Sequence, residues 1–312
     1  MDWISFFSMQ GVAALSALFI FVIGCAALLV VILFIIDLSQ TRDAIRHNFP
    51  VIGRFRSLFN RLGEASISPN RHPEISNFSE LLDFINLVRD LSGKPVGFKT
   101  VVGAHTWLEE MCEKIHQCGI ACAPDFVTID GGDGGTGAAP MPLMDSVGLP
   151  IKAALPKVVD ILQRYGLRDR IKVIASGKLI TPSETAWAFC VGADFVTSAR
   201  GFMLAIGCIQ ALKCNRNTCP TGITTHNKRL QRGLNPQQKA LRIKNFVDKI
   251  HYGSGLIAHS CGVPHPRALR RHHCQIIQAN TQPIPLDELY PTQQTAALYR
   301  TDLRMTRPAE QT

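Results

Sequence analysis

The sequence predicts an α/β domain built on parallel strands and preceded by one helix that crosses a membrane. Three observations carry this expectation. From Ser68 onward, nearly continuous apolar runs of strand length alternate with amphipathic helical segments. Polar and glycine-rich clusters follow those runs directly. An uncharged apolar stretch lies near the N-terminus.

That stretch, Gly11 to Ile36, is 26 residues long and lies between Asp2 and Asp37. At ~1.5 Å per residue it reaches roughly 39 Å, more than the ~30 Å of a bilayer's hydrocarbon core. A cleaved signal would open on basic residues and close on small ones. This segment opens Met1-Asp2-Trp3-Ile4 and closes Leu33-Phe34-Ile35-Ile36, so it is expected to remain as an anchor. Arg42, Arg46, Arg54, Arg56 and Arg61 follow it and nothing basic precedes it, which places the N-terminus outside and the domain in the cytoplasm. Ile45 to Leu62 mixes Phe49, Val51, Ile52, Phe55, Leu58 and Phe59 with arginines, as an interfacial segment does. The chain thus divides into an anchor over 1–40, a basic juxtamembrane segment over 41–66, a domain over 67–225 and a basic C-terminal extension over 226–312.

The 312 residues carry a formal charge of +9, and after Thr221 there are 13 Lys and Arg against 5 Asp and Glu. The excess reads as a solvated basic surface, or as contact with anionic lipid beside the anchor. No aromatic residues interleave with it, so it does not read as a nucleic-acid site. Ten cysteines in so long a chain do not form a disulfide framework. Three of them crowd into Cys208, Cys214 and Cys219, which reads as metal chemistry in a reducing compartment.

Within the domain, Ser79 is expected to cap a helix carrying Leu81, Leu82, Phe84, Ile85, Val88 and Leu91 on one side, with Gly93 closing it. Val96 to Val102 then reads as a strand, Thr106 to Gln117 as a helix ended by Gly119, and Phe126 to Asp130 as a strand. A helix over Ile151 to Tyr165, a strand over Ile171 to Ser176, a helix over Ser183 to Val191 and a strand over Asp194 to Ala199 complete the series. Such a sheet is expected to be covered on both faces. Its functional groups are expected at the C-terminal strand ends, as in barrels and open α/β sheets.

Three motifs carry chemistry. After Asp130 runs Gly131-Gly132-Asp133-Gly134-Gly135-Thr136-Gly137, which matches the dinucleotide pattern in letters. Ala139-Pro140-Met141-Pro142 follows, and it cannot open the helix a pyrophosphate needs, so the loop reads instead as a close backbone approach to a flat ligand. Ser176-Gly177-Lys178 and Ala199-Arg200-Gly201 follow consecutive strands, as phosphate-binding loops do, with Lys178 and Arg200 as cationic donors. Cys208, Cys214 and Cys219, followed by Pro220, offer soft thiolates for an iron–sulfur cluster, or for zinc with His226 as a fourth ligand.

Together these segments resemble the FMN-binding domain of glutamate synthase in a stand-alone, membrane-anchored form. The likeness runs from Ser68-Pro69-Asn70-Arg71-His72 through Gly97-Phe98-Lys99, the glycine loop, Ala175-Ser176-Gly177-Lys178, Gly192-Ala193-Asp194 and Ala199-Arg200-Gly201 to Cys219-Pro220-Thr221-Gly222. It implies a (β/α)8 barrel holding FMN, with the three cysteines ligating a 3Fe–4S cluster. The implied reaction is reductive amination of 2-oxoglutarate with ammonia to L-glutamate through 2-iminoglutarate, with an electron-donating protein or subunit as partner. The flavin phosphate would rest on Ser176, Gly177, Lys178, Ala199, Arg200 and Gly201. Asp130, Gly134, Gly135, Thr136 and Gly137 would line the cofactor, and Lys99 would be the catalytic cation beside flavin and substrate.

Two departures from the family pattern shape the expectation. Met1-Asp2 offers no N-terminal cysteine nucleophile, so ammonia is expected from elsewhere. Four strand–helix units follow Ser68, whereas the family has a long upstream stretch supplying the first half of the barrel. The domain is therefore expected to be the C-terminal half of a (β/α)8 FMN-binding barrel, internally shortened and open to pairing with a second copy. The alternatives are a non-catalytic remnant and a zinc-binding membrane adaptor.

Overall fold

A computed structural model of the chain describes residues 3–40, 50–51, 72, 74–133 and 147–294. It divides into two units, Met1–Ser66 and Ile67–Thr312.

Among the described residues of the first unit, one helix, α1, spans Trp3–Ser39. Within its Ala14–Ser39 stretch an 18-residue window has a mean hydropathy of 3.4 and buries none of its residues. Phe19, Ile20, Phe21 and Val22 point in successive directions and all are exposed. A helix apolar on every side has no polar face to turn to water, and this one is long and apolar enough to cross a membrane. Beyond it, the Asp37 carboxylate accepts the Val51 amide at 3.0 Å. The arginines and most of the interfacial segment expected over 45–62 lie outside the described residues.

The second unit opens with α2, Phe78–Ser92. Its cap is Asn77, not Ser79: the Asn77 Oδ1 accepts the Glu80 amide at 3.0 Å while the Glu80 carboxylate accepts the Ser76 amide at 2.7 Å. Ser79 lies two residues too late to reach those orphan amides. Gly93 closes α2 in the left-handed conformation with φ 60°. Then come β1 (Gly97–Val101), α3 (Thr106–Cys118), β2 (Phe126–Asp130), α4 (Ile151–Arg164), β3 (Lys172–Ser176), α5 (Pro182–Val191), β4 (Phe195–Thr197) and α6 (Ala199–Ala205). Thr181 and Glu184 form a reciprocal capping box ahead of α5. Ala199, expected as the end of a strand, begins a helix instead.

The four strands are all parallel, in the order β1-β2-β3-β4. Right-handed crossovers between strands laid down in sequence return every helix to the same side. Accordingly, the helices cover one face only, where Val127, Ile129, Val173 and Ala175 are fully buried in one cluster with Leu108, Met111 and Ile115 of α3 and Leu155, Val158 and Leu162 of α4. The expectation of two covered faces fails for this reason, since it would require the strand order to reverse. Among the described residues the other face carries Lys99, Thr128, Asp130, Ile174, Ser176, Phe195 and Thr197, of which only Ser176 is buried.

The N-terminal ends of the strands are tied structurally. Asp125 accepts the Val96 amide at 2.8 Å and pairs with Arg89 at 2.9 Å and Arg170 at 3.0 Å, joining the approaches to three strands.

After the cysteine segment come α7 (Lys228–Gln231), α8 (Pro236–Ser260), an antiparallel pair β5 (Gln275–Ile277) and β6 (Pro283–Pro285), and α9 (Leu286–Leu289). Asn235 caps α8 and Pro236 takes its first position, a pairing that suits the orphan donors there. Ala258, Leu269 and Leu286 join the same core as the sheet. Arg271, 6% exposed, donates to Asp160 at 2.5 Å and to the Tyr290 carbonyl at 2.6 Å. The basic surplus of 226–312 therefore includes a buried structural cation.

Candidate functional site

At the C-terminal ends of the strands, register places Val101 beside Asp130, Asp130 beside Ser176, and Ser176 beside Thr197. Alternation of side chains then sets Lys99, Asp130, Ser176 and Thr197 on the sheet face that the helices leave open. The Lys99 ammonium pairs with Asp130 Oδ2 at 2.7 Å, and the Ser176 hydroxyl donates to Asp130 Oδ1 at 2.9 Å. Asp130 is thus held at both oxygens, while the Lys99 side chain stays 55% exposed. The geometry yields a fixed carboxylate that aims a half-free ammonium over the open face.

The glycine loop supports this cluster from behind. The Gly131 amide donates to the Ser176 carbonyl at 2.8 Å, and the Gly132 amide to the Leu149 carbonyl at 2.8 Å. Asp133 Oδ1 accepts the first amide of α4, Ile151, at 3.3 Å. A carboxylate already fills that helix N-terminus, which rules against a pyrophosphate there. Gly134, Gly135, Thr136 and Gly137 lie outside the described residues.

Gly177 sits at φ 120° with its missing Cβ position 2.8 Å from the Gly131 amide nitrogen, so no larger residue fits. Lys178 follows at φ 45°, left-handed for a residue with a side chain. Strain of this kind persists where the surroundings enforce it, commonly at binding loops. Across from it, Ser198 precedes Ala199-Arg200-Gly201. Its hydroxyl is buried and has no hydrogen-bond partner. A Cβ on Gly201 would lie 2.6 Å from that hydroxyl. Sequence reasoning missed Ser198, and its place just ahead of the predicted phosphate loop was the available signal.

A cavity of about 1080 Å³ joins these groups. Lys99, Ser176, Thr197 and Ser198 line it together with Phe195, Phe202 and Phe246. Phe246 comes from α8, so residues beyond 225 supply one wall. The apolar wall with a few convergent polar groups is what a flat, anionic small molecule requires.

The three cysteines are not brought together. Among the described residues no group of three or more His, Cys, Asp or Glu side chains is placed to hold a metal ion, with or without His226. Two of them make contacts of their own. Cys208 Sγ accepts the Gln210 amide at 3.4 Å, and Cys219 Sγ lies 3.2 Å from the Thr221 hydroxyl. Burial raises the Cys219 thiol, but hydrogen bonding, led by the Thr221 hydroxyl, outweighs it and brings it down to about 6. The segment between them holds Gln210, Leu212 and Asn217 at positive φ.

Comparison with known proteins matches residues 50–263 to the conserved region in glutamate synthase. The glutamate synthase large subunit-like protein YerD of Bacillus subtilis is 44% identical over 227 residues, which are 73% of this chain and 43% of that protein. The archaeal glutamate synthase (NADPH) of Methanocaldococcus jannaschii is 34% identical over 188 residues, covering 59% of this chain and 36% of that one. The chain thus spans less than half the length of these relatives. Among solved structures, a mutant flavocytochrome b2 with pyruvate bound covers 70% of this chain at 16% identity and a TM-score of 0.40, too loose a superposition to carry a conclusion. With most of the chain inside the matched region, and with its predicted strands and loops in place, this protein belongs to the glutamate synthase family.

Proposed function

We propose that this chain is an FMN-dependent oxidoreductase of the glutamate synthase type that aminates 2-oxoglutarate reductively to L-glutamate. The observation that carries the reading is the Lys99–Asp130–Ser176 cluster, which opens into a cavity that is also lined by Ser198, whose buried hydroxyl has no partner. The residues present fit FMN. Gly177 and Gly201 let their loops pack against Gly131 and against Ser198 and Phe246 where a Cβ would clash, Arg200 makes no ion pair among the described residues, and Ser198 supplies a waiting polar group. When bound, FMN supplies the hydride that reduces an imine of the keto acid.

The chain's own residues bind and orient. Ser176, Gly177, Lys178, Ser198, Arg200 and Gly201 hold the phosphate end, and Phe195 and Phe202 exclude water along the ring. Lys99, aimed by Asp130, receives a substrate carboxylate or balances negative charge as it develops, where a preorganised cation contributes most. Ammonia arrives from outside and electrons from a protein partner. A 3Fe–4S cluster is the proposed use of Cys208, Cys214 and Cys219, supported by the resemblance and by the Cys208 sulfur, which accepts the Gln210 amide as a ligand sulfur does. α1 anchors the chain, with the catalytic unit in the cytoplasm.

The four strands, ordered in sequence with helices on one side, form half of an eight-stranded barrel in this reading. Two copies would pair the free edge of β4 with that of β1 and close the open face. The test is a visible spectrum with flavin and iron quantified on protein purified in detergent. Flavin absorbance and bound iron support the reading, and a colourless, iron-free protein that takes up zinc overturns it.

A further inference from the structure

Between Asp194 and Asp248 the sequence holds nine Lys and Arg and no Asp or Glu. Most of that charge falls in one knot of chain: the cysteine segment 208–219, α7 and the start of α8. The Thr225 hydroxyl donates to the Asn217 carbonyl at 2.6 Å, and the His226 amide donates to Asn217 Oδ1 at 2.7 Å. The Gln231 side-chain amide donates to the Thr225 carbonyl at 2.5 Å. A Cβ on Gly207 would lie 3.1 Å from Lys239 Nζ and 3.5 Å from Arg242 Nη1, so the first turns of α8 lie over the entry to Cys208. Lys213, Arg216, Lys228, Arg229, Arg232 and Arg242 are exposed, and among the described residues none of their side chains makes an ion pair or a hydrogen bond.

Exposed aliphatic side chains belong to the same knot. Ile209 is 65% exposed, Leu212 48% and Leu241 59%. In water the like charges repel one another and the aliphatic surface gains nothing. An anionic lipid surface answers both features at once: its headgroups attract Lys and Arg, and the boundary between headgroups and acyl chains accepts the aliphatic tips. An acidic protein would answer the charge alone. With no acidic residue alternating with the basic ones, the segment offers little to fix such a partner's register. The chain also carries α1, long and apolar enough to cross a membrane, and a tether of that kind raises the effective concentration of lipid at the rest of the chain. We infer that 208–242 docks on anionic phospholipid, with Ile209, Leu212 and Leu241 entering the headgroup boundary.

This docking is independent of flavin, and it rests on the anchoring reading only for the nearness of the bilayer. Attraction of this kind grows with the number of Lys and Arg near the surface and fades as salt screens them, over about 8 Å at physiological ionic strength. Docking therefore depends on the anionic fraction of the lipid and on ionic strength, and a neutral bilayer leaves the segment free. The contact covers the stretch that carries Cys208, Cys214 and Cys219, and it steadies α8, whose Phe246 lines the cavity.

The experiment places the full chain in nanodiscs of phosphatidylcholine, alone or with about one third phosphatidylglycerol, and follows amide hydrogen exchange by mass spectrometry. Peptides from 208–242 should exchange severalfold more slowly in the anionic discs. The difference should vanish in about 1 M salt, where screening shortens to about 3 Å. Peptides from α3 and α4 should exchange alike in both discs. Lys228→Glu, Arg229→Glu and Arg232→Glu together should remove the protection, and Ile209→Ser with Leu241→Ser should weaken it. Should α3 and α4 report that a variant is unfolded, the lipid and salt dependence of the native chain decides. Retention in neutral discs reads α1 alone: a chain that leaves them contradicts the anchor, and flotation with anionic vesicles then reads the docking. Equal exchange in both discs overturns the proposal, as does slowing that polyglutamate produces in neutral discs and anionic lipid does not.

Discussion

In the proposed reaction Lys99 is the residue on which the chemistry would turn, and its surroundings distinguish a catalytic role from a structural one. Its pair with Asp130 is more than half exposed on the lysine side, and ion pairs of that kind contribute at most about 1 kcal/mol to stability. Lys99→Met should therefore leave the unfolding midpoint almost unchanged while lowering glutamate formation about 100-fold, the scale of losing one preorganised charge. Steady-state assay and thermal unfolding of the same preparation check this together. Asp125 is the opposite case. Partial burial raises its carboxyl, but the Val96 amide and the Arg89 and Arg170 guanidinium groups outweigh that and hold it below its ordinary value. A carboxylate depressed in the folded state stabilises fully above its unfolded value, about pH 4, and loses that contribution as pH falls through the lower folded value. Asp125→Asn should cost about 1–3 kcal/mol at neutral pH, and the gap to the native chain should narrow below about pH 4. Urea titrations at both pH values measure it. A gap that widens in acid would contradict the assignment.

Among elements, α8 does most to shape the cavity, and it rests on a close approach. A Cβ on Gly253 would lie 2.6 Å from Cγ of Pro182 at the start of α5. Gly253→Val should push the helices apart, destabilise the unit by about 1–3 kcal/mol and weaken ligand binding through the displaced Phe246 wall. Denaturant unfolding and ligand titration report the two effects separately. The elements also show what the sequence reveals and what it hides. Phe126–Asp130 is read to the residue because an apolar run ends on a charged residue and glycines. Gly93 and Gly119 mark helix ends because positive φ favours glycine there. The cap at Asn77 was misplaced because Ser79 is an equally good cap by type, and only Glu80, three residues after Asn77, decides between them. α8 was hidden behind its own charge, although Asn235-Pro236 carries the signal of a helix start. The Arg271–Asp160 pair, 111 residues apart, has no local signature at all. In the candidate site, Lys99, Asp130 and Ser176 were legible from their strand positions, whereas their mutual pairing follows from register between strands that a single sequence does not display.

At the scale of the molecule, the sheet face that α3 and α4 leave open and the two edges, unpaired among the described residues, are the central feature. A face carrying Ile174 and Phe195 beside Lys99 and Asp130 is half apolar and half charged, and an unpaired parallel edge is a template for another strand. Eight strands are the number at which side chains just fill a barrel's interior. In detergent the protein component should accordingly have about twice the 34.3 kDa mass of one chain, as read by light scattering with the detergent subtracted. Whether this closed face takes flavin is the direct test of the account. FMN titrated into the purified full chain, followed by quenching of flavin fluorescence, should saturate near one FMN per chain, and Gly177→Val should abolish it by filling the space beside Gly131. Flavin fluorescence that stays unchanged as the protein is added in excess would contradict the account.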